Sequence, residues 1–439
     1  MSEKWDDDQA PGQNAAGQNG SDHEQNVTED QEKYAFLQET FKDEQINIKT
    51  VGKKLWKTAG RGMIFGFAAC LVFCAFKPWM ETFFSGPSTK ITIPEDEDDR
   101  QSSVAEDEGE EANLPDLTVE NYKELNEAIY QVALRAGKCV VEVYDDNQSE
   151  LKNTEFDNKD SVSGLIVWNE DSDILILAPS RIIKEGSRLE TVFVDGSVHP
   201  TTLKKRDQNL GLAILLIDRK SVSEMTLNTI TTAVLGNSNQ VNRGDLSIAL
   251  GKQFGYSDGV GYGIISSKKN QKILVDRTCR ILTTDIPAVP SGSGVLFNVK
   301  GEVIGLIDQS IGYNGNKTMM TAYAISDIKK DIELMSNGKS IPYIGITGVE
   351  ITEEISQENG IPRGVYVSDV AVDSPAMAAG IQSGDVLTQL NKINVSTVLG
   401  YEAALLETEI GHEIKAKGLR LGSSEYVEVD FTVTVGSKE

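Results

Sequence analysis

Histidine is the scarcest residue with acid–base chemistry in this chain, which holds only His23, His199 and His412. An imidazole is the usual base that activates a serine near neutral pH, so a hydrolytic site must draw on one of these three or do without. His23 lies in a polar N-terminal stretch, and His412 sits far downstream in EIGHEI. His199 follows the turn sequence VDGS and reads as an exposed loop residue. Cys70, Cys74, Cys139 and Cys279 are too few for a disulfide framework in so long a chain. The first two fall in an apolar run; Cys139 and Cys279 read as buried packing residues, with no histidine near Cys279 in sequence. No HExxH, paired-cysteine, EF-hand or phosphate-loop pattern occurs, so the sequence implies no metal and no cofactor.

These residues are spread over 439 positions of uneven composition. Lys and Arg number 42 against 67 Asp and Glu, a net charge of −25, and no basic stripe beyond residue 61 offers a polyanion a footing. Nucleic acid is therefore excluded as a partner. Residues 1–60 are polar and read as a disordered cytoplasmic tail. Lys49, Lys53, Lys54, Lys57 and Arg61 then precede GMIFGFAACLVFCAF, which runs without charge from Gly62 to Phe76. Extended through KPWMETFF, it gives one transmembrane helix over 61–84, with Lys77 snorkelling and Trp79 at the interface. A cleaved signal peptide does not fit a run that begins after sixty residues and ends in Lys-Pro-Trp. The basic flank places the N-terminus in the cytoplasm and everything after residue 84 outside. From Glu95 to Asp116 eleven carboxylates face one arginine, so 85–116 reads as a self-repelling acidic linker.

Two folded units follow, 117–338 and 339–439. ENYKELNEAIYQVALRAG has apolar residues at helical spacing; after it come the short runs CVVEVY, SGLIVW, DILILA, LETVFV, LGLAILLI, ISSKKNQKILV and GEVIGLI. Turn signals such as VDGS, NSNQ and VKGE separate them, which predicts an all-β barrel or sandwich. In the second unit YIGI, GVYVSDV, DVLTQL and VEVDFTV read as strands, and SPAMAAG and YEAALLETE as short helices.

The run GVYVSDVAVDSPAMAAGIQSGDVLTQLNKINV resembles the C-terminal PDZ domain of the HtrA family of trypsin-like serine proteases. Upstream, SVSGLIVW, LGLAILLID, ALGKQFGYSDGVGYGIISS, RILTTDI and GEVIGLID resemble that family's protease domain in the same order. The resemblance implies a trypsin-like double β-barrel followed by a PDZ domain, and it implies a His, Asp, Ser triad. Here the segment matching the family's histidine is ILAPSRII, which puts Arg181 at that position, or Ser180 if the register slips. A guanidinium stays protonated and cannot serve as general base. DQNLGLAIL puts Gly211 at the aspartate position, although Asp207 keeps the family's earlier aspartate.

The serine motif reads AVPSGSGVLFN and is one residue shorter than the family's. Counting forward from Thr284-Asp285 makes Ser293 the candidate nucleophile, with Gly292 and Ser293 as candidate oxyanion residues; counting back from GEVIGL lands on Gly292. A Ser-Lys dyad is another known chemistry, but the spacing singles out no lysine.

Peptide binding needs backbone geometry rather than an acid or base, because a PDZ domain takes a peptide C-terminus as an added strand and catches its carboxylate with successive amides. By the same resemblance the carboxylate loop is Tyr343, Ile344, Gly345 and Ile346, with Ala404 and Leu405 setting a side-chain pocket. The reading that results is a membrane-anchored, extracytoplasmic HtrA-like pseudoprotease whose PDZ domain binds peptide or protein C-termini. The alternative is an active endopeptidase with a displaced triad that uses Ser293; a third is a tether that binds no peptide. Homo- or hetero-trimer formation also follows from the resemblance, with Tyr122 and Tyr130 ahead of the first strand.

Overall fold

The computed structural model describes residues 90–96, 118–146, 161–311 and 318–438, all within one unit, Thr89–Glu439. The expected tail, the expected span over 61–84 and most of the acidic linker lie outside the described residues. Among those described, no helix is long and apolar enough to cross a membrane.

Helix α1 (Val119–Ala136) starts where the Thr118 hydroxyl accepts from the Asn121 amide. It leads into six strands, β1 (Val140–Asp145), β2 (Ser161–Glu170), β3 (Asp173–Pro179), β4 (Leu189–Val192), β5 (Val198–Asp207) and β6 (Leu212–Asp218). They close into a barrel in the order β1-β2-β3-β6-β5-β4. A short helix, α2 (Glu224–Thr229), precedes the second set: β7 (Leu246–Gly251), β8 (Gly259–Leu274), β9 (Arg277–Pro287), β10 (Ser293–Asn298), β11 (Val303–Asp308) and β12 (Met319–Ala324). These close in the order β10-β11-β12-β9-β8-β7. Closure leaves no long free edge, which is how an all-β chain avoids pairing with its neighbours.

Burial explains which strands the sequence announced. In β3 and β6 almost every residue is inside, so DILILA and LAILLI are continuous apolar runs rather than alternating ones. Strand β5 carries PTTLKKRD and faces water along much of its length, so no apolar run marks it. His199 belongs to this strand, opposite Thr191, and is half-buried with its ring 5.4 Å from that of Phe193. The expectation of an exposed loop residue is corrected here: the turn closes at Ser197, and the strand begins one residue before the histidine.

Helix α3 (Lys329–Ser336) packs against β5 and β6. Residues 90–96, assigned above to the linker, lie against it instead. Ile91 is buried, its amide donates to Asn337 Oδ1 at 3.1 Å, and Asp96 pairs with Lys329 at 2.7 Å. The apolar start of this segment gives it surface to bury, and Lys329 removes the charge argument for extension at Asp96.

The last unit contains β13 (Ile346–Glu350), α4 (Glu353–Asn359), β14 (Val365–Val370), α5 (Pro375–Ala378), β15 (Val386–Leu390), β16 (Ile393–Asn394), α6 (Val398–Leu406), β17 (Glu413–Leu421) and β18 (Tyr426–Thr434). The sheet order is β13-β14-β15-β17-β18, with β16 paired to β15. The run SPAMAAG forms α5 because Ser374 caps it, accepting from the Met377 amide, and Pro375 fits its first turn. Ile344, Val365, Leu387, Tyr401 and Phe431 belong to a core of its own.

Candidate active site and peptide groove

Arg181 occupies a single turn of 3-10 helix, Ser180–Ile182, at the end of β3 in the first barrel. Its guanidinium reaches the second barrel, donating to the Asp308 carboxylate at the end of β11 and to the Ser291 carbonyl at 3.0 Å. Asp308 is buried and also accepts from the Ser310 amide at 3.0 Å and the Ser310 hydroxyl at 2.7 Å. Gly211 is beside this turn: its carbonyl accepts from the Ser180 amide at 2.7 Å, and its φ of 72° is left-handed. The positions matched to the family's histidine and aspartate are thus neighbours in space, holding a guanidinium and no side chain.

Ser293 is the first residue of β10 and has no exposed surface. Its hydroxyl accepts from the Ser163 amide at 2.9 Å, and the Ser163 hydroxyl donates to its carbonyl at 3.2 Å, so Ser293 joins β10 to β2. The Gly292 amide, read above as an oxyanion donor, instead donates to the Val289 carbonyl at 2.8 Å and closes a tight turn. A side chain at 292 would meet the Gln253 carbonyl at 2.8 Å, so only glycine fits. Ser291 is the exposed hydroxyl of this loop, and sequence reasoning passed over it in favour of Ser293. Neither described histidine is in the cleft: His199 packs on Phe193, and His412 pairs with Glu409 at 3.3 Å.

A Ser-Lys contact does exist, between Lys252 Nζ and the Ser161 hydroxyl, which also donates to Glu142 at 2.6 Å. Both residues are buried, so the contact is a packed network rather than an open dyad. Burial pushes the Cys139 thiol up to about 12 and raises Cys279 as well, which keeps both protonated and unreactive. Among the described residues no three of His, Cys, Asp and Glu are grouped to hold a metal ion.

In the C-terminal unit Tyr343 exchanges two backbone hydrogen bonds with Gly436, both 2.9 Å, and this fixes the start of the loop Tyr343 to Ile346. Ile344 is buried, Gly345 is left-handed at φ 99°, and Ile346 opens β13. A Cβ at 345 would meet the Ser374 Cβ at 2.3 Å, so the loop requires glycine on two counts. Three successive amides point the same way, and all three donate to Asp276 of the second barrel. Ala404 and Leu405, expected to set a pocket, are buried in the unit's core; Leu405 also lines a separate pocket together with Val275, Asp276 and Tyr343.

Comparison with known proteins fits this geometry. The family model for a trypsin-like peptidase domain matches residues 162–306, and that for a PDZ domain matches residues 342–431. The serine protease Do-like HtrB of Bacillus subtilis (strain 168) is 28% identical over 288 residues, covering 61% of this chain and 61% of that protein. A probable periplasmic serine endoprotease DegP-like of Pseudomonas savastanoi pv. phaseolicola is 29% identical over 289 residues, covering 63% of this chain and 55% of that protein. The match thus spans about 55–61% of the length of these curated relatives. Among solved structures, the HtrA-type protease AlgW with decapeptide has the same fold at a TM-score of 0.50 and 22% identity, covering 71% of this chain and 99% of that one.

Proposed function

From a chain that carries the trypsin-like peptidase and PDZ domains of an HtrA-family protein, we propose a membrane-anchored pseudoprotease that binds peptide or protein C-termini outside the cytoplasm. The observation that carries this reading is the Arg181–Asp308 pair, which ties up the side chain that the resemblance puts at the position of the general base. A base must give up and regain a proton near neutral pH, and a guanidinium paired to a carboxylate does neither. Gly211 adds no carboxylate to orient an imidazole, and the Ser293 hydroxyl is engaged by Ser163. The run over 61–84 with its basic flank supports the anchor, and the periplasmic relatives support the extracytoplasmic placement. Helix α1 leaves Tyr122, Leu125 and Tyr130 exposed, which supports self-association, with a homo- or hetero-trimer as the form the resemblance implies.

A second reading, an active endopeptidase, has the named activity of the relatives on its side. Fluorophosphonate labelling separates the two, run on the full chain beside Ser291→Ala and Ser293→Ala with an unfolded casein substrate in parallel. No labelling and no cleavage by folded protein is the expected result. Labelling that disappears in either variant would establish that serine as a nucleophile and sink the pseudoprotease.

A further inference from the structure

The hairpin between β8 and β9 turns through two residues, Val275 and Asp276, since Leu274 pairs with Arg277. Asp276 takes a left-handed φ of 62°, which aspartate tolerates better than most residues. This places its side chain, from the second barrel, inside the loop of the PDZ domain. Oδ2 accepts from the amides of Ile344 at 2.8 Å and Gly345 at 2.7 Å, while Oδ1 accepts from the Ile346 amide at 3.0 Å. The Tyr401 hydroxyl, on α6, donates to Oδ1 at 2.6 Å. The Asp276 amide donates to the Ile346 carbonyl at 2.6 Å, a backbone pairing with the first residue of β13.

A carboxylate caught by successive amides, with a backbone pairing beside it, is how a PDZ domain holds the end of a peptide. Here both parts are supplied from within the chain. Three convergent amides left empty in a buried loop would lose hydrogen bonds that water can no longer replace, and Asp276 restores them. The contact is reinforced on both sides. Arg277 pairs with Glu402 of α6 and with Asp331 of α3 at 2.8 Å, and Asn209 Nδ2 donates to the Val275 carbonyl at 2.7 Å.

We infer that Asp276 is a built-in ligand of the PDZ carboxylate loop, so that a free C-terminus binds only when the hairpin withdraws from the loop. The inference rests on the peptide-binding reading proposed above. Two carboxylates cannot share three amides, so the apparent affinity of the whole chain for a peptide is the intrinsic affinity scaled down by the fraction with the hairpin out. Peptide capture and release of the second barrel from the PDZ domain are then one equilibrium. A bound C-terminus would be reported directly to the barrel that carries Ser291 and Asp308.

The test uses the full chain in detergent micelles, as wild type, Asp276→Asn and Asp276→Ala. Asparagine keeps the left-handed turn, and alanine removes the side-chain acceptor. The probe is a fluorescein-labelled random decapeptide pool with free C-termini, beside the same pool amidated at the C-terminus. Hydrogen exchange at residues 344–346 is read in parallel. The inference expects slow exchange at these amides in the wild type and faster exchange in the alanine variant. It also expects the free-carboxylate pool to bind Asp276→Ala about tenfold tighter or more than wild type, with no such gain for the amidated pool. Equal binding by wild type and both variants, or exchange that does not change, overturns it. A pool that binds none of the three folded proteins, while exchange still accelerates in Asp276→Ala, removes the peptide-binding reading and the competition with it; Asp276 then remains only a structural plug.

Discussion

Arg181 and Asp308 lie on different barrels and meet across the cleft, the guanidinium donating to a carboxylate that is 5% exposed. A histidine at 181 could orient a proton; an arginine there acts as a bolt. It neutralises a carboxylate that would otherwise be buried in the cleft, and its second bond, to the Ser291 carbonyl, holds the shortened serine loop. One side chain thus ties the first barrel to both β11 and the serine loop of the second.

Arg181→Ala should destabilise the protein by about 1–3 kcal/mol, the usual cost of stranding a buried polar group that solvent reaches in part. Urea denaturation of a four-member set with Asp308→Ala and the double variant checks this. The double variant should be less unstable than the sum of the singles, and strict additivity would mean that the pair contributes nothing.

Arg181→His together with Gly211→Asp should not restore hydrolysis. Space exists at 211, where an added Cβ would meet nothing within 4 Å, and the left-handed backbone costs an aspartate only about 1–2 kcal/mol. The obstacle is the serine loop, because Ser293 faces the Ser163 amide and the Gly292 amide closes onto Val289. Fluorophosphonate labelling of the double variant is the readout, and labelling above background would show that base and orienter were all that was missing.

Much of this architecture was legible. Continuous apolar runs gave β3, β6 and β11 because barrel interiors bury both faces of such strands, and SPAMAAGI marked a capped helix and turn by its Ser-Pro start. Polar β5 was not legible, and His199 was misplaced with it. The serine loop gave two counts one residue apart; in the structure Ser293 opens β10 opposite Asp308, and Gly292 closes the turn before it. Asp276 was invisible for a different reason. In KILVDRT it reads as an ordinary turn residue, and its partners lie 68 to 70 residues away along the chain in the loop and 125 away at Tyr401.

Gly345→Ala should impair the PDZ domain far more than an alanine at Gly186. Both glycines are left-handed, at φ 99° and 76°, but only the Cβ at 345 would collide, meeting Ser374 at 2.3 Å. Gly186→Ala should cost about 1 kcal/mol through its backbone alone, whereas Gly345→Ala adds a steric cost of about 1–3 kcal/mol. Thermal melting of the two variants checks the order, and equal shifts would show that the loop can move away from Ser374.

Acid should stabilise the fold through Asp207, the carboxylate kept from the family's pattern at the end of β5. Burial raises it to about 6 against the opposing Leu210 amide, and repulsion from Asp331 adds to the rise. An unfolded chain sheds this proton near the ordinary aspartate value of about 3.9. Between about pH 4 and 6 the folded protein therefore holds a proton that the unfolded chain has lost, and stability from this group falls as pH rises through that window. Its slope approaches about 1.4 kcal/mol per pH unit at most, from the free energy of one unit of pKa. Asp207→Asn removes the titration while keeping an acceptor for the Leu210 amide, which Asp207 Oδ2 now holds at 2.6 Å. Urea midpoints measured from pH 4 to 7 should fall less steeply in the variant than in the wild type; parallel curves would place the titrating group elsewhere.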